Sequence, residues 1–161
     1  MALAGKRPIS REDVPPISKF DFSYSDLKHG GFADVIVEDC RFDGIEYEGN
    51  WGRGFRRCSF SKAKLSRAFL SGQFVECDFS GVNFSFSKAS APDSFLRCNF
   101  TKTNFRSANW TRVRFEYCTF DGAKFDRASV SGSRFIGTAP SEEQLKDTLV
   151  AKVVYEDVPG R

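Results

Sequence analysis

A six-residue phrase returns through this chain at nearly constant spacing. It reads Phe55-Arg56-Arg57-Cys58-Ser59-Phe60, Phe74-Val75-Glu76-Cys77-Asp78-Phe79, Phe95-Leu96-Arg97-Cys98-Asn99-Phe100 and Phe115-Glu116-Tyr117-Cys118-Thr119-Phe120, with starts 19, 21 and 20 residues apart. Upstream lies Val37-Glu38-Asp39-Cys40-Arg41-Phe42, preceded by a degenerate Ile17-Ser18-Lys19-Phe20-Asp21-Phe22 with Phe20 in the cysteine slot. Downstream, Phe135 reopens the pattern and Pro140 ends it. Fixed-period self-similarity marks stacked repeats, each burying its apolar face only against its neighbours.

A period of five runs inside the period of twenty. Apolar residues stand at Ile17, Phe22, Leu27, Phe32, Val37, Phe42 and Tyr47, then at Phe55, Phe60, Leu65 and Leu70, and then at Phe74, Phe79, Phe84 and Ala89. They continue at Phe95, Phe100, Phe105 and Trp110, then Phe115, Phe120, Phe125 and Val130, and end at Phe135. Neither the helical period of 3.6 nor the strand period of 2 produces fives. Two residues before many of these stands a small or thiol side chain, as at Cys58, Ala63, Ala68, Cys77, Ala108, Cys118, Ala123 and Ala128. Each unit therefore turns one large and one small side chain inward before the chain bends.

Units such as Ala63-Lys64-Leu65-Ser66-Arg67, Cys77-Asp78-Phe79-Ser80-Gly81, Ala108-Asn109-Trp110-Thr111-Arg112 and Ala123-Lys124-Phe125-Asp126-Arg127 resemble the pentapeptide-repeat family, whose motif is roughly A(D/N)LXX. The resemblance covers residues 17–137. It implies an all-β fold, a right-handed quadrilateral parallel β-helix with four pentapeptides per coil. Six coils then start at Ile17, Val37, Phe55, Phe74, Phe95 and Phe115, with Phe135 opening an incomplete seventh. One face stacks Phe55, Phe74, Phe95, Phe115 and Phe135; the next stacks Phe22, Phe42, Phe60, Phe79, Phe100 and Phe120. At about 2 kcal/mol per fully buried Phe, these ladders outweigh any surface interaction.

The flanks read differently. Residues 1–16 carry Pro8, Pro15 and Pro16, which exclude a long helix or central strand, and form a leader or partial N-terminal cap in which Ser10-Arg11-Glu12-Asp13 suits one helical turn. Three corners break the period: Asn50-Trp51-Gly52-Arg53-Gly54, the short step from Leu70 to Phe74, and the long step through Ser90-Ala91-Pro92-Asp93-Ser94. After Pro140 the capping-box sequence Ser141-Glu142-Glu143-Gln144 followed by Leu145, Leu149, Val150 and Val153 predicts a short α-helical cap from about Ser141 to Ala151, within a C-terminal segment 138–161. The apolar Val153-Val154-Tyr155 suits a short strand or a contact with another subunit. Similar C-terminal segments form homodimers in parts of the family, so the resemblance implies a homodimer here.

Chemistry finds little purchase. All five cysteines, Cys40, Cys58, Cys77, Cys98 and Cys118, fall in one column. Four coil steps spread that column over roughly 19 Å, whereas zinc needs ligands converging at about 2.3 Å. Neighbours about 4.8 Å apart also exceed ordinary disulfide geometry. The cysteines, with Phe60, Phe79, Phe100 and Phe120, are read as structural ladders. The single histidine, His29, beside Gly30-Gly31, is read as an exposed corner residue. No triad, P-loop or dinucleotide fingerprint is present, and no cofactor or metal is expected. No apolar run reaches the roughly 18–20 residues of a membrane span, no secretory signal is visible, and an odd cysteine count points to a reducing, cytoplasmic setting.

The net charge of +3 is too small to imply a nucleic-acid partner, but its distribution is uneven. Residues 17–49 carry eight acids against three bases, residues 50–72 six bases and no acid, and residues 101–137 seven bases against three acids. Lys64, Arg67, Arg106, Lys124 and Arg127 share the third face, with Asp126 among them; Arg56, Arg57, Arg97, Arg114 and Arg134 share the first. The reading is a non-enzymatic protein-binding or scaffold rod, with that third-face set as a partner-binding surface. Two alternatives stand beside it. Some family members bind DNA gyrase or type II topoisomerases as DNA mimics, inhibiting them or protecting them from quinolones, although only residues 17–49 carry the dense negative charge that requires. The basic face would also suit nucleic-acid binding.

Overall fold

The computed structural model describes residues 14–27, 32 and 35–161. The expectations for residues 1–13 and for His29 lie outside them. The described strands in chain order are β1 (Ile17–Ser18), β2 (Ile36–Glu38), β3 (Asn50–Trp51), β4 (Gly54–Arg56), β5 (Phe69–Leu70), β6 (Gln73–Val75), β7 (Lys88–Ser90), β8 (Ser94–Leu96), β9 (Asn109–Thr111), β10 (Arg114–Glu116), β11 (Arg134–Ile136) and β12 (Val154–Glu156). Pairing is parallel throughout. One wall is an eight-stranded sheet ordered β1-β2-β4-β6-β8-β10-β11-β12, and another a four-stranded sheet ordered β3-β5-β7-β9. Single-residue bridges build the two walls between them: Arg41 to Ser59 to Asp78 to Asn99 to Thr119 on the second, and Glu46 to Lys64 to Asn83 to Asn104 to Lys124 on the third. The result is an all-β, four-sided parallel solenoid of about seven turns.

Each wall places one residue inward, and like rings stack from coil to coil. On the first wall Phe55 and Phe74 lie 5.3 Å apart at 4°, and Phe115 and Phe135 4.9 Å apart at 6°. On the second, Phe60 and Phe79 lie 5.0 Å apart at 11°, and Phe100 and Phe120 5.5 Å apart at 8°. The third wall adds Phe84, Phe105 and Phe125. Offset stacking along a column, with edge-on contacts between adjacent walls, uses both favoured aromatic geometries at once.

Corners are made by residues in the left-handed conformation two places past the inward one. On the first corner Lys19, Asp39, Arg57, Glu76, Arg97, Tyr117 and Asp157 all have φ between 51° and 62°. A non-glycine residue resists this region, so the coil geometry imposes it. On the same corner a large side chain is met by an absent one: the Tyr117 ring covers Gly137, where a Cβ would meet it at 2.4 Å.

Two of the irregular corners compensate each other. Gly72, at φ +107°, closes the short step from Leu70, and an added Cβ there would lie 2.4 Å from the Arg53 carbonyl oxygen. One coil later the long corner supplies an extra residue, and buried Asp93 accepts from the Gly72 N–H at 2.7 Å and the Ser90 N–H at 2.8 Å. The third departure is filled rather than open. Trp51, in β3, is 1% exposed and takes the fourth inward position, stacked on Phe32 at 5.7 Å and edge-on to Tyr47 at 4.8 Å. Four-residue steps on both sides of Trp51 hide it from a strict count of five.

The predicted C-terminal helix is absent. Its capping box does form, with the Ser141 N–H donating to Gln144 Oε1 at 2.8 Å and the Gln144 N–H to Ser141 Oγ at 3.2 Å. Leu145 N–H bonds back to Ser141 and Glu142 oxygens, which completes a single turn. The stack then reclaims the chain: Leu149 N–H donates to Ala128 O at 2.9 Å, and Val130 N–H to Leu149 O at 2.9 Å. Strand β12 pairs with β11, setting Tyr155 over Phe135 at 5.8 Å. A ready parallel template thus outcompetes a helix too short to be stable by itself. Pro140 is buried in the position above Phe120 and does not stop the stack.

Candidate functional site

The interior holds no reactive arrangement among the described residues. The five cysteines are buried and free, and each thiol donates to carbonyl oxygens: Cys118, for example, to Phe95 O at 3.3 Å and Glu116 O at 3.5 Å. Cys58, hydrogen-bonded to the Cys77 thiol and buried, and Cys98, buried between Cys118 and Cys77, are pushed well above the ordinary thiol range. Burial also acts to raise Cys77, between them, but the hydrogen bonds of its two thiol neighbours pull it down; Cys58 and Cys98 stay protonated at neutral pH, whereas nucleophilic or metal-binding cysteine requires thiolate. No group of three or more His, Cys, Asp or Glu among the described residues suits a metal ion.

Function therefore falls to outward side chains, and the stack determines which of them meet. Acids of the second coil face bases of the third: Arg56 bonds Glu38 at 3.1 Å, Arg57 bonds Asp39 at 2.7 Å, and Lys64 pairs with Glu46. Among the described residues, Glu38, Asp39 and Glu46 of the acidic block 17–49 thus pair with Arg56, Arg57 and Lys64 of the basic block 50–72 across one coil boundary. The remaining first-wall arginines are also engaged, Arg97 with Glu76 at 3.5 Å, Arg134 with Glu156 at 2.9 Å, and Arg114 with Glu116. A hydrogen bond from Arg57 holds the exposed Asp39 carboxyl below its usual range.

The expected third-face set divides. Bridges from Lys64 to Asn83, Asn104 and Lys124 place three coil steps between the two lysines. Arg106, which pairs with Asp126 at 2.8 Å, lies with Lys124 and Arg127 on coils five and six, while Lys64 and Arg67 lie on coil three. An open groove of about 570 Å³ runs beside the second group only, lined by Phe86, Arg106, Ser107, Asp126, Arg127 and Asp147 among others, with neither Lys64 nor Arg67 in its lining. The hydrogen bond from Arg106 lowers the Asp126 pKa. Sequence reading missed Phe86, which is 58% exposed. Its signal is visible in retrospect: two places past the inward Phe84, it occupies the slot held by Arg67, Ser107 and Arg127 in other coils.

Eight copies of the family model described as pentapeptide repeats match residues 55–90 and 94–137. The chain belongs to the pentapeptide-repeat family. This pentapeptide-repeat chain also resembles solved structures. A pentapeptide repeat protein from the Arabidopsis thaliana thylakoid lumen is 20% identical, with 79% of this chain and 77% of that chain covered and a TM-score of 0.41. QnrB1, a plasmid-mediated fluoroquinolone resistance protein, is 16% identical in its trypsin-treated R167E form, with 87% and 80% covered and a TM-score of 0.49. No curated protein matches the pentapeptide-repeat chain significantly. Among its described residues, no helix is long and apolar enough to cross a membrane.

Proposed function

We propose that this pentapeptide-repeat protein is a non-enzymatic binding module that presents a rigid rod surface to a partner protein. One observation carries the reading: the inward residues repeat from coil to coil and are consumed in packing, while the outward residues vary along each wall, as in Glu46, Lys64, Asn83, Asn104 and Lys124. Extended repeat surfaces of this kind suit protein docking. Affinity capture with the full chain, followed by reconstitution of binding from two purified components, tests it. A defined complex of fixed stoichiometry is expected; turnover of a substrate by the purified chain overturns it.

The DNA-mimic reading requires an unbroken negative surface, and coil-two acids are drawn into pairs with coil-three bases. A gyrase supercoiling assay titrated with the protein, with and without a quinolone, decides that case. Exposed Leu149, Val150 and Val154 beside the outer edge of β12 support a homodimer through the C-terminal segment. Light scattering across a concentration series tests it. Five free thiols fit a reducing, cytoplasmic location.

A further inference from the structure

The corner joining the third wall to the fourth carries a column of residues two places past the inward side chains, Arg67, Phe86, Ser107 and Arg127, all in the left-handed conformation. We propose that this corner docks an extended segment of a partner protein bearing two carboxylates four residues apart and an apolar side chain midway. The proposal rests on the protein-binding reading above and names the chemistry of the partner.

Arg67 and Arg127, like Arg53 and Arg112, form no ion pair among the described residues, whereas Arg41, Arg56, Arg57, Arg97, Arg106, Arg114 and Arg134 do; of the first four, only Arg67 and Arg127 share a corner with an exposed aromatic, Phe86. Phe86 stands between them at φ 59°, a left-handed conformation that a non-glycine residue resists. Tyr24 and Tyr117, in the same conformation at other corners, lay their rings over Gly44 and Gly137 of the next coil. The coil after Phe86 offers Ser107 instead, and Phe86 makes no ring contact among the described residues. An exposed aromatic flanked by unpaired guanidinium groups, beside a groove, has the composition of an interface anchor.

Spacing selects the occupant. Arg67 and Arg127 are three coil steps apart, about 14 Å, and residues i and i+4 of an extended chain are about 13 Å apart on one face, with i+2 between them. Two carboxylates thus reach the two arginines while the middle side chain falls between Phe86 and Ser107, within reach of the Phe86 ring one coil step from Arg67. Asp126 and Asp147 border the groove, which penalises the continuous charge of a nucleic-acid backbone but not two discrete carboxylates.

The test is fluorescence anisotropy on the full chain at low salt. The probe is a labelled synthetic peptide with two glutamates four residues apart and a central tryptophan. Saturable binding is expected, weakened about tenfold when both glutamates become glutamine and about fivefold by Arg67→Glu, Arg127→Glu or Phe86→Ser, each variant keeping its parental melting temperature. No binding at about 1 mM chain, or binding indifferent to Arg127→Glu and Phe86→Ser, overturns the proposal. Tighter binding of oligothymidylate through the same residues also overturns it, assigning the corner to nucleic acid. A native protein partner whose affinity ignores all three substitutions leaves the binding function standing and removes this corner from it.

Discussion

The indole Nε1 of Trp110 donates to Ser87 Oγ at 2.9 Å across one coil step, inside the solenoid where neither residue meets water. Ser87 in turn donates to the Phe84 carbonyl at 2.6 Å, so one hydroxyl serves two walls.

Ser87→Ala leaves the buried indole N–H without a partner and is expected to cost about 1–3 kcal/mol in chemical unfolding. In a Trp110→Phe background the same substitution should cost about half as much or less, because no donor remains to be orphaned. Equal losses in the two backgrounds would show that the hydroxyl acts only through Phe84.

Asp93 tests pH dependence. Burial raises its pKa above the ordinary aspartate value of 3.8, against the opposing effect of the Gly72 and Ser90 amides. A carboxyl with a raised folded-state pKa binds more protons folded than unfolded, so its contribution falls as pH rises from 3.8 through that raised value. Asp93→Asn should abolish this slope. It should also lower stability at neutral pH by about 1–3 kcal/mol, because one amide N–H then meets an NH2 donor in place of an acceptor. Urea melts of both proteins between pH 3 and pH 7 check the two effects separately.

Glycine corners are not equivalent. At Gly81 a Cβ would sit 3.7 Å from Lys62 Cγ, so Gly81→Ala should cost only the left-handed penalty of roughly 1–2 kcal/mol. At Gly72 the Cβ would collide with the Arg53 carbonyl at 2.4 Å, and Gly72→Ala should cost about 4 kcal/mol or more or prevent folding. Comparable thermal shifts for the two would contradict the geometry.

Charge pairing between coils two and three predicts a salt-dependent effect. Asp39→Lys turns the Arg57 contact into repulsion, and the loss of melting temperature at low ionic strength should shrink steeply in about 1 M sodium chloride. A loss unchanged by salt would place its origin in the corner backbone.

Removal of residues 138–161 should expose the β11 edge and the face of Phe135 that Tyr155 now covers, giving soluble aggregates in size-exclusion chromatography. An unchanged monomer would assign the seventh turn no capping role.

The inward columns were legible because packing leaves a periodic trace: Phe60, Phe79, Phe100 and Phe120 repeat because their surroundings repeat. Trp51 was not, since its four-residue steps fall outside any fixed count. The missing helix shows a different boundary. Ser141 and Gln144 encode a true local motif, satisfied in the structure, yet Leu149 is claimed by Ala128 and Val130 of the preceding coil, and local sequence cannot weigh that competition. The third-face basic set follows the same logic: residue spacing assigned Lys64 and Lys124 to one wall three coils apart, while the pairing of Arg106 with Asp126 emerges only from the stack.

The bond from the Gly72 amide to the Asp93 carboxylate has a consequence for how such a rod changes length. One coil is a residue short, the next a residue long, and the columns beyond them return to phase. Phase is therefore repaired locally, within a single corner, and a defect there does not propagate down the molecule. That corner is a tolerated splice point: a segment inserted between Ala91 and Pro92, both exposed, would bud outward as a loop while the aromatic columns on either side kept their alignment.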